Sequence, residues 1–327
     1  MNLLVLGGTG FVGRTVIDHA RARGHHITVL NRGHRPPPPG VTARTGDRTE
    51  PGGLTALGTG TWDLVVDTWS GTPRAVRDAA TFLSGRAGHY TYVSSRSVYA
   101  DTTDLPLTEQ SPTVHATPDD TGDTDYARCK RGAEMAADHH FDGPVLHARA
   151  GLVLGPHEDV GRLPWWLHRL ATGGPTLAPG PRDLGIQYID ARDLADFLLD
   201  AATDGRSGPY TVVSPEGHAT MGDLLELGTA VTGGHAQLRW TDPEPILAAG
   251  VQPWTELPIW LPPGHLHDLL HRGDVSKALA AGLRVRPLRD TVADTWAWLR
   301  SLDGPPPQRP DRPRAGLDPV REAALLT

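Results

Sequence analysis

The sequence predicts an α/β protein with a doubly wound parallel sheet, and two observations support this prediction. Residues 3–6 are a short apolar run of strand character, followed by a glycine-rich loop over 7–13, a helical pattern and a second apolar run over 27–30. Apolar runs and helical patterns then alternate as far as residue 150. Strands that alternate with helices indicate βαβ units, and such units build a parallel sheet of the Rossmann type.

Composition excludes several classes of protein. The length of 327 residues favours about two domains. Acidic residues exceed basic ones by seven, which disfavours nucleic acid or an anionic membrane as a partner. A single cysteine, Cys129, excludes an internal disulfide and fits a reducing compartment. The first strand starts at residue 2, which leaves no room for a signal peptide, and no apolar run reaches the roughly 18 residues of a membrane span. We therefore expect a cytoplasmic protein.

The glycine-rich loop predicts where a dinucleotide binds. Gly7 and Gly10 allow a tight turn close to a pyrophosphate, and Gly13 lets the following helix lie close to the sheet. The N-terminus of that helix offers N–H groups and a partial positive charge to the phosphates. An ordinary turn is the alternative, which the flanking strand and helix disfavour. The cofactor contacts expected here are Gly7, Thr9, Gly10, Phe11, Val12, Gly13 and Arg14.

The end of the second strand predicts which dinucleotide is preferred. An NAD-selective protein would carry Asp or Glu there for the ribose hydroxyls. Asn31 and Arg32 stand there instead, with Arg35 nearby, and Arg14 could add a further guanidinium. Guanidinium groups pair with a 2′-phosphate through charge-assisted hydrogen bonds. We expect NADP(H) to be preferred and NAD(H) to remain possible; a solvated basic loop is the alternative.

The other strands of this half follow in order. Residues 41–45 are a third strand, after which Asp47 could accept a hydrogen bond from an adenine amino group. Residues 62–67 are a fourth strand, with a continuous apolar run as in a parallel strand buried on both faces. Its end adds Asp67, Thr68 and Trp69 to the expected cofactor contacts. The remaining elements are a helix over 72–83, a strand over 89–94, a long polar loop over 101–125, a helix to residue 140 and a strand over 144–150.

Tyr126 and Lys130 carry the predicted chemistry. Four residues apart on a helix, they share one face, and a nearby ammonium favours the ionised form of a phenol. Ser95, at the end of the fifth strand, could reach the same point and hydrogen-bond a substrate oxygen. The three side chains could move a proton to or from a carbonyl or hydroxyl while a nicotinamide moves the hydride. A tyrosine and a lysine on an ordinary surface helix are the alternative.

These motifs resemble those of the extended short-chain dehydrogenase/reductases, also called the NAD-dependent epimerase/dehydratase family. The resemblance covers roughly residues 1–300 and rests on residues 7–13, 93–99, 126–130, 155–156 and 188–194. It implies that Tyr126 is the acid/base, that Lys130 binds the nicotinamide ribose and assists Tyr126, and that Ser95 polarises the substrate oxygen. It also implies a homodimer built on the helices near 72–85 and 124–140. The segment after Arg149 would border the nicotinamide, which adds Ala150, Gly151 and Val153 to the expected cofactor contacts.

Three departures weaken a plain sugar-nucleotide epimerase assignment. Arg96 is a bulky cation beside the serine, where small residues are usual in the family. Asn31 and Arg32 replace the acidic end of the second strand, and Trp69 stands near the cofactor where small residues are more common. These departures do not affect the predicted fold.

The second half of the chain is expected to supply substrate specificity. Its tryptophans suit an apolar or ring-bearing substrate, although core packing explains any single one at least as well. The expected substrate contacts are Arg96, Trp165, Trp166, Tyr188 and Trp254. His265, His267 and His271 could share a helix face, but the acidic or cysteine ligands typical of zinc sites do not accompany them. We predict no metal.

The predicted domains follow the change of character after residue 156. An NADP-binding Rossmann domain covers 1–156, with 186–204 returning to it. A smaller C-terminal α/β substrate lobe covers 157–185 and 205–303. Residues 304–327 are rich in proline and arginine and show no core pattern, so we expect a poorly packed tail or one that wraps over a neighbour.

Three functions are compatible with these features. The leading hypothesis is an NADP(H)-dependent oxidoreductase that interconverts a ketone and a secondary alcohol on a small metabolite. An epimerase or dehydratase of a sugar-nucleotide-like substrate, with tightly bound NAD(P), is the first alternative. A non-catalytic NADP-sensing protein is the second, and the presence of both Tyr126 and Lys130 disfavours it.

Overall fold

The computed structural model describes residues 1–121, 125–310 and 312–326, and the chain divides into two compact units. The first unit comprises Met1–Gly151, Ala191–Val212 and Asp274–Arg284. The second comprises Leu152–Asp190, Val213–Gly273 and the chain from Val285 onward. The predicted substrate lobe therefore differs from the second unit in two respects. Residues 205–212 and 274–284 belong to the first unit, and 152–156, 186–190 and the chain from 304 onward belong to the second.

The strands of the described residues are given in chain order. They are β1 (Asn2–Leu6), β2 (His26–Asn31), β3 (Thr42–Thr45), β4 (Leu64–Asp67), β5 (Tyr90–Ser95), β6 (Val145–Ala150), β7 (Leu152–Leu154), β8 (Gly174–Pro179), β9 (Tyr188–Asp190), β10 (Gly208–Val212), β11 (Ala236–Thr241), β12 (Pro253–Trp254) and β13 (Leu257–Pro258). The strands predicted for the first half occur within two residues of the expected bounds.

The helices of the described residues follow in the same order. They are α1 (Phe11–Ala22), α2 (Pro73–Leu83), α3 (Tyr126–His140), α4 (Arg162–Thr172), α5 (Ala191–Thr203), α6 (Met221–Val231), α7 (Pro243–Ala248), α8 (His265–His271), α9 (Ser276–Ala280), α10 (Leu288–Arg300) and α11 (Pro319–Leu325). Helices α1 to α7 lie between strands along the chain, and α8 to α11 follow the last strand. Among the helices of the described ranges, none has the length and apolar character needed to cross a membrane.

A seven-stranded parallel sheet forms the centre of the first unit, with the strand order β10-β6-β5-β4-β1-β2-β3. Strand β1 pairs with β2 on one side and β4 on the other, so Leu3 lies opposite both Ile27 and Leu64. Right-handed crossovers on the two sides of β1 place helices on opposite faces. Accordingly α1 packs with α5, and α2 packs with α3. The predicted doubly wound α/β fold is confirmed, and its order reverses between β1 and β4, where such sheets bind ligands.

The core of the first unit explains its apolar runs. Every residue of β4, β5 and β6 is buried, as expected for central parallel strands covered on both faces. Alanines on α3 allow that helix to lie close to its neighbours, and Ala133, Ala136 and Ala137 are fully enclosed. This packing holds the start of α3 against the carboxyl ends of β4 and β5.

The second unit is an α/β arrangement around a tryptophan-rich core. Three short parallel pairs, β7–β9, β8–β11 and β12–β13, pack with the surrounding helices. Trp166 and Trp260 are fully buried, and their indole N–H groups donate to the carbonyls of Pro258 (2.7 Å) and Gly180 (2.9 Å). The polar atom of each large side chain is thereby satisfied, as burial requires.

Of the two alternatives for the C-terminal tail, the structure contradicts a poorly packed segment over 312–326. Leu317 belongs to the core of the second unit, and α11 follows it. The carboxylate of Glu322 on α11 accepts hydrogen bonds from Arg169 Nε (2.6 Å) and from the backbone N–H of Leu177 (3.0 Å). One buried leucine and one buried ion pair attach the segment without producing any periodic apolar pattern.

Candidate functional site

The glycine-rich loop packs tightly against the end of β4. Gly7 has a φ of 119°, and a Cβ there would lie 2.3 Å from Oγ1 of Thr68. A Cβ on Gly13 would lie 2.6 Å from the backbone nitrogen of Gly8. Both approaches require glycine. Gly10 precedes α1 without a side-chain capping bond, so the amides of the first turn are directed to where a phosphate would bind.

The other predicted contacts of this loop lie close by. Thr9, Phe11 and Val12 are half-buried, and the side chain of Arg14 is exposed. Thr68 donates its hydroxyl to the carbonyl of Leu6 (3.1 Å), which joins the ends of β1 and β4. The loop, the start of α1 and the end of β4 therefore surround one point at the reversal of strand order.

The end of β2 presents donors rather than a carboxylate. Asn31 Oδ1 accepts from the backbone N–H of Gly33 (2.8 Å), while Asn31 Nδ2 is buried without a hydrogen-bond partner among the described residues. Arg32 and Arg35 are exposed. A buried amide donor with no acceptor is costly unless a ligand oxygen completes it.

Asp47 lies near these cations. Its carboxylate accepts from the hydroxyl (2.6 Å) and backbone N–H (3.0 Å) of Thr49. Those hydrogen bonds lower the pKa of Asp47, and Arg32 adds a smaller effect in the same direction. The residue is therefore an ionised hydrogen-bond acceptor beside the end of β2.

Asp67 does not offer its carboxylate to a cofactor, contrary to the prediction. It is fully buried, and Arg48 binds both oxygens at 2.7 Å. Tyr90 donates its hydroxyl to the same carboxylate (2.5 Å), and so does the backbone N–H of Trp69 (2.9 Å). Burial opposes ionisation of Asp67, but the charge of Arg48 outweighs it and lowers the pKa. The carboxylate supports the loop after β4 from inside the protein.

Lys130 is held at the end of two strands. Its side chain is buried, and Nζ donates to the carbonyls of Trp69 (2.5 Å) and Val93 (2.7 Å). Nζ lies 4.7 Å from the ring centroid of Tyr92 and 5.9 Å from that of Tyr126. Lys130 and Tyr126 thus lie on the same side of α3, one turn apart, with Tyr126 37% exposed.

The N-terminus of α3 is well defined. Asp125 caps it by accepting from the backbone N–H of Arg128 (2.9 Å). Cys129, on the same turn, is buried as expected for a small apolar residue, and burial raises the pKa of its thiol. The cap fixes the first turn, and therefore the backbone that carries Tyr126.

Ser95 ends β5, next to a short 3₁₀ turn. Its Oγ accepts from the backbone N–H of Ser97 (3.1 Å) and lies 3.2 Å from the hydroxyl of Ser97. The following residue, Arg96, is buried, and burial lowers its pKa to about 10. Lys130 contacts the carbonyl of Val93, two residues before Ser95, so α3 and the serine-bearing strand end are joined directly.

A buried ionic network that the sequence analysis missed lies one turn after Lys130. Glu134 accepts from Arg149 Nε and Nη2 (both 2.9 Å) and from the hydroxyl of Ser94 (2.7 Å). Arg131 adds a further ion pair at 2.9 Å. Burial opposes ionisation of Glu134, but the hydrogen bonds from Arg149 outweigh it and lower the pKa to about 2. Arg149, a charged residue within a strand buried along its whole length, was the signal that could have indicated this network.

The cofactor contacts predicted after Arg149 do not all lie in one unit. Ala150 is buried at the last position of β6, and Gly151 follows it half-buried. Val153 lies in β7, within the second unit. Trp69, the remaining predicted cofactor contact, is half-buried in the loop after β4.

The predicted substrate residues of the second unit differ in accessibility. Trp166 and Tyr188 are fully enclosed in its core, so they pack the fold and cannot contact a ligand, contrary to the prediction. Trp165 and Trp254 are half-buried, and the guanidinium of Arg162 lies 5.1 Å from a ring centroid of Trp254. Trp254 also has a positive φ of 66°, an uncommon conformation for a bulky residue.

Within the described part of the chain, the histidines form no cluster of the kind that binds a metal. The rings of His267 and His271 are 4.9 Å apart, and His267 Nε2 hydrogen-bonds the carbonyl of Gly185 (2.9 Å). Across residues 1–121, 125–310 and 312–326, no group of three or more His, Cys, Asp or Glu side chains could hold a metal ion.

Comparisons with known proteins identify the family and the fold. A curated relative, 2'-dehydrokanamycin reductase of Streptomyces kanamyceticus, is 37% identical over 114 residues. That match spans 33% of this chain and only 32% of the relative's length.

Solved structures share the fold. The enzyme WbmG of Bordetella bronchiseptica, in complex with NAD and UDP, has a TM-score of 0.67 and 19% identity, covering 91% of this chain and 93% of WbmG. The UDP-glucose 4-epimerase of Thermus thermophilus, in complex with NAD, has a TM-score of 0.66 and 18% identity, covering 92% and 99%. The model of the NAD dependent epimerase/dehydratase family matches residues 3–213, which confirms the resemblance seen in the motifs. The chain belongs to the NAD-dependent epimerase/dehydratase family.

Proposed function

We propose that the protein is an NADP(H)-dependent oxidoreductase that interconverts a ketone and a secondary alcohol on a small metabolite, with Tyr126 as the acid/base. The observation that carries the proposal is the pairing of an accessible Tyr126 with the buried ammonium of Lys130, 5.9 Å from its ring centroid. A phenol beside a fixed positive charge is suited to exchanging a proton with a substrate oxygen.

The preference for NADP(H) is supported by the end of β2. Asn31 Nδ2 needs an oxygen acceptor, and the exposed guanidinium groups of Arg32 and Arg35 suit a 2′-phosphate. The close approaches at Gly7 and Gly13 let the loop fold tightly against Thr68 and against its own backbone, as a pyrophosphate-binding turn requires. When bound, the nicotinamide would supply or accept the hydride.

In this proposal the protein's own side chains carry out the proton transfer. Tyr126 exchanges it with the substrate oxygen, and Lys130 keeps a positive charge next to the phenol. Ser95 hydrogen-bonds the same oxygen, for which its hydroxyl would turn away from Ser97. The buried Glu134–Arg149 pair keeps α3 attached to β6 during the reaction.

The reductase relative supports reduction of a keto group. Its name gives 2'-dehydrokanamycin as the compound reduced, and the 37% identity extends over 114 residues. For the present chain we propose only the substrate class, which is a ketone or secondary alcohol on a ring-bearing small metabolite. Trp165 and Trp254 of the second unit are half-buried aromatic side chains, a kind that contacts rings in ligands. A cytoplasmic location and a homodimer are part of the same proposal.

Epimerisation or dehydration is the second candidate, and the family match favours it. Such a reaction returns the cofactor to its starting oxidation state in each cycle. The two candidates therefore differ in one measurable quantity, the net consumption of NADPH.

The test is a Tyr126→Phe variant assayed for NADPH consumption with a panel of cyclic ketones. We expect wild type to consume NADPH in preference to NADH, and the variant to lose about 10²–10⁴-fold in kcat because the proton donor is gone. Tyr210→Phe is the matched control, since this tyrosine lies under Lys277 in the same unit and its ring is retained. Substrate conversion by wild type without net NADPH consumption would favour the epimerase or dehydratase.

A further inference from the structure

Lysine is rare in this chain, and both lysines are fixed in the same manner. Of the 31 basic residues, 29 are arginine and only Lys130 and Lys277 are lysine. Lys277 Nζ donates to the carbonyl of Pro209 (2.6 Å) and lies 4.2 Å from the ring centroid of Tyr210. Lys130 likewise combines carbonyl acceptors with a tyrosine ring. Lys277 is therefore an internal reference for the environment of Lys130.

One acceptor of Lys130 belongs to a residue that is itself held in place. The carbonyl of Trp69 accepts from Lys130 Nζ (2.5 Å) and from the hydroxyl of Tyr92 (3.0 Å). The backbone N–H of Trp69 donates to Asp67 Oδ1 (2.9 Å), and its indole N–H donates to the carbonyl of Thr72 (2.9 Å). Asp67 is thus one of three anchors of Trp69, together with Tyr92 and the carbonyl of Thr72, and it is the one that holds the backbone N–H.

Arg48 holds Asp67 in position, together with the hydroxyl of Tyr90. Its guanidinium binds both carboxylate oxygens at 2.7 Å and donates to the carbonyl of Ala75 at 2.9 Å. The same guanidinium lies 5.3 Å from a ring centroid of Trp69. A bidentate pair fixes the orientation of a carboxylate as well as its distance, which a single hydrogen bond does not.

We propose that Arg48 is a positioning residue for Lys130, acting through Asp67 and the backbone of Trp69. Arg48 fixes Asp67, Asp67 fixes the N–H of Trp69, and the carbonyl of Trp69 then holds the ammonium of Lys130 beside Tyr126. This inference rests on the proposed function only in giving Lys130 a role in the reaction. Arg48 touches none of the reacting groups.

The first test measures how reactive Lys130 is toward an amine-acylating reagent. Peptide mass spectrometry gives the labelling rate of Lys130 relative to Lys277, and Arg48→Met is compared with wild type. We expect at least a fivefold rise in this ratio, because the amine loses the displaced Trp69 carbonyl as an acceptor, although that of Val93 remains. Arg169→Met, which removes the partner of Glu322 in the second unit, is the matched control and should leave the ratio within twofold.

A second variant keeps the test decisive if Arg48→Met does not fold. Replacing both members of a buried ion pair by apolar residues of similar size is often neutral for stability. The double variant Arg48→Met/Asp67→Leu removes the acceptor for the Trp69 N–H and should raise the ratio as the single variant does. A folded double variant with the wild-type ratio overturns the proposal.

Kinetics then separate this proposal from the proposed function. With an active wild type, we expect Arg48→Met to lower kcat about tenfold and to shift its pH profile, while KM for NADPH changes less than threefold. If wild type turns over no cofactor, the proposed function fails, yet the labelling ratio still decides the positioning role. An active wild type with unchanged labelling in the variants refutes the positioning role alone.

Discussion

The two units bury a carboxylate in opposite ways. Glu134 in the first unit and Glu158 in the second are both fully enclosed. Glu134 binds Arg149 through two hydrogen bonds, and despite its burial the pKa falls to about 2. Glu158 accepts from the backbone N–H groups of Arg162 (2.7 Å) and Leu163 (3.1 Å) at the start of α4, and burial raises its pKa to about 7.

The difference shows that a full positive charge keeps a buried carboxylate ionised, whereas helix amides alone do not. A guanidinium adjacent to a buried carboxylate offsets the loss of hydration, whereas the first amides of a helix supply only a partial positive charge. The charge of Arg162 lowers the pKa of Glu158, but by less than burial raises it. The buried ionic network beside the candidate site therefore stays ionised over the usual pH range, while the second unit contains a carboxyl group that titrates near neutrality.

The largest effect expected from this comparison is at Glu134. Glu134→Gln should lower the free energy of unfolding by about 3–5 kcal/mol, because it leaves the buried guanidinium of Arg149 without a countercharge. Urea denaturation at pH 7 measures the change. The double variant Glu134→Gln/Arg149→Met serves as the control and should recover part of the loss. A cost below about 1 kcal/mol for the single variant would show that the pair is not what stabilises this region.

At Glu158 we expect the substitution by Gln to have the opposite effect on stability. Its pKa lies near 4.5 in the unfolded chain and about 7 in the folded protein, so between these values the folded state keeps a proton that the unfolded state releases. Stability is therefore lost as the pH rises from about 4.5 to 7, by roughly 3 kcal/mol in the limit. Glu158→Gln removes this dependence and should be more stable than wild type by about 1–2 kcal/mol at pH 8. The gain is smaller than about 3 kcal/mol because the amide nitrogen cannot accept from the second of the two backbone N–H groups.

Because other groups also titrate, the informative quantity is the difference between the Glu158→Gln variant and wild type. We expect this difference in stability to increase from about pH 5 to 7 and then to stay constant, as measured by urea or thermal denaturation at a series of pH values. A difference that does not change with pH would mean that Glu158 is ionised throughout, like Glu134.

The sequence predicted the first unit well because its signals are local. The glycine-rich loop, the continuous apolar strands and the Tyr126–Lys130 spacing each lie within a few consecutive residues. The buried ion pairs were missed because their members are separated along the chain and meet only after folding. Arg48 and Asp67 are 19 residues apart, and Glu134 and Arg149 are 15 apart. No periodicity links such pairs.

Two errors follow from the same limitation. Asp67 ends a strand where a cofactor contact is expected, and only the position of Arg48 shows that its carboxylate is already occupied. Trp166 and Trp165 are adjacent and chemically identical, yet α4 turns one into the core and leaves the other half-buried. A residue's type does not tell which side of a helix faces the core when the partner elements are unknown.

The smallest effect concerns Glu322, a carboxylate of the second unit that does have an arginine partner. Arg169 binds it at 2.6 Å but remains partly accessible, so the loss of charge in Glu322→Gln should cost about 1–2 kcal/mol. Thermal denaturation measures the change, and Asp318→Asn, at the exposed N-cap of α11, serves as the control for the helix itself. We expect Glu322→Gln to lower the melting temperature more than Asp318→Asn does. That result would show that a buried carboxylate stabilises the second unit, as it does the first, when an arginine is its partner. An unchanged melting temperature would contradict the attachment of the C-terminal segment to the second unit.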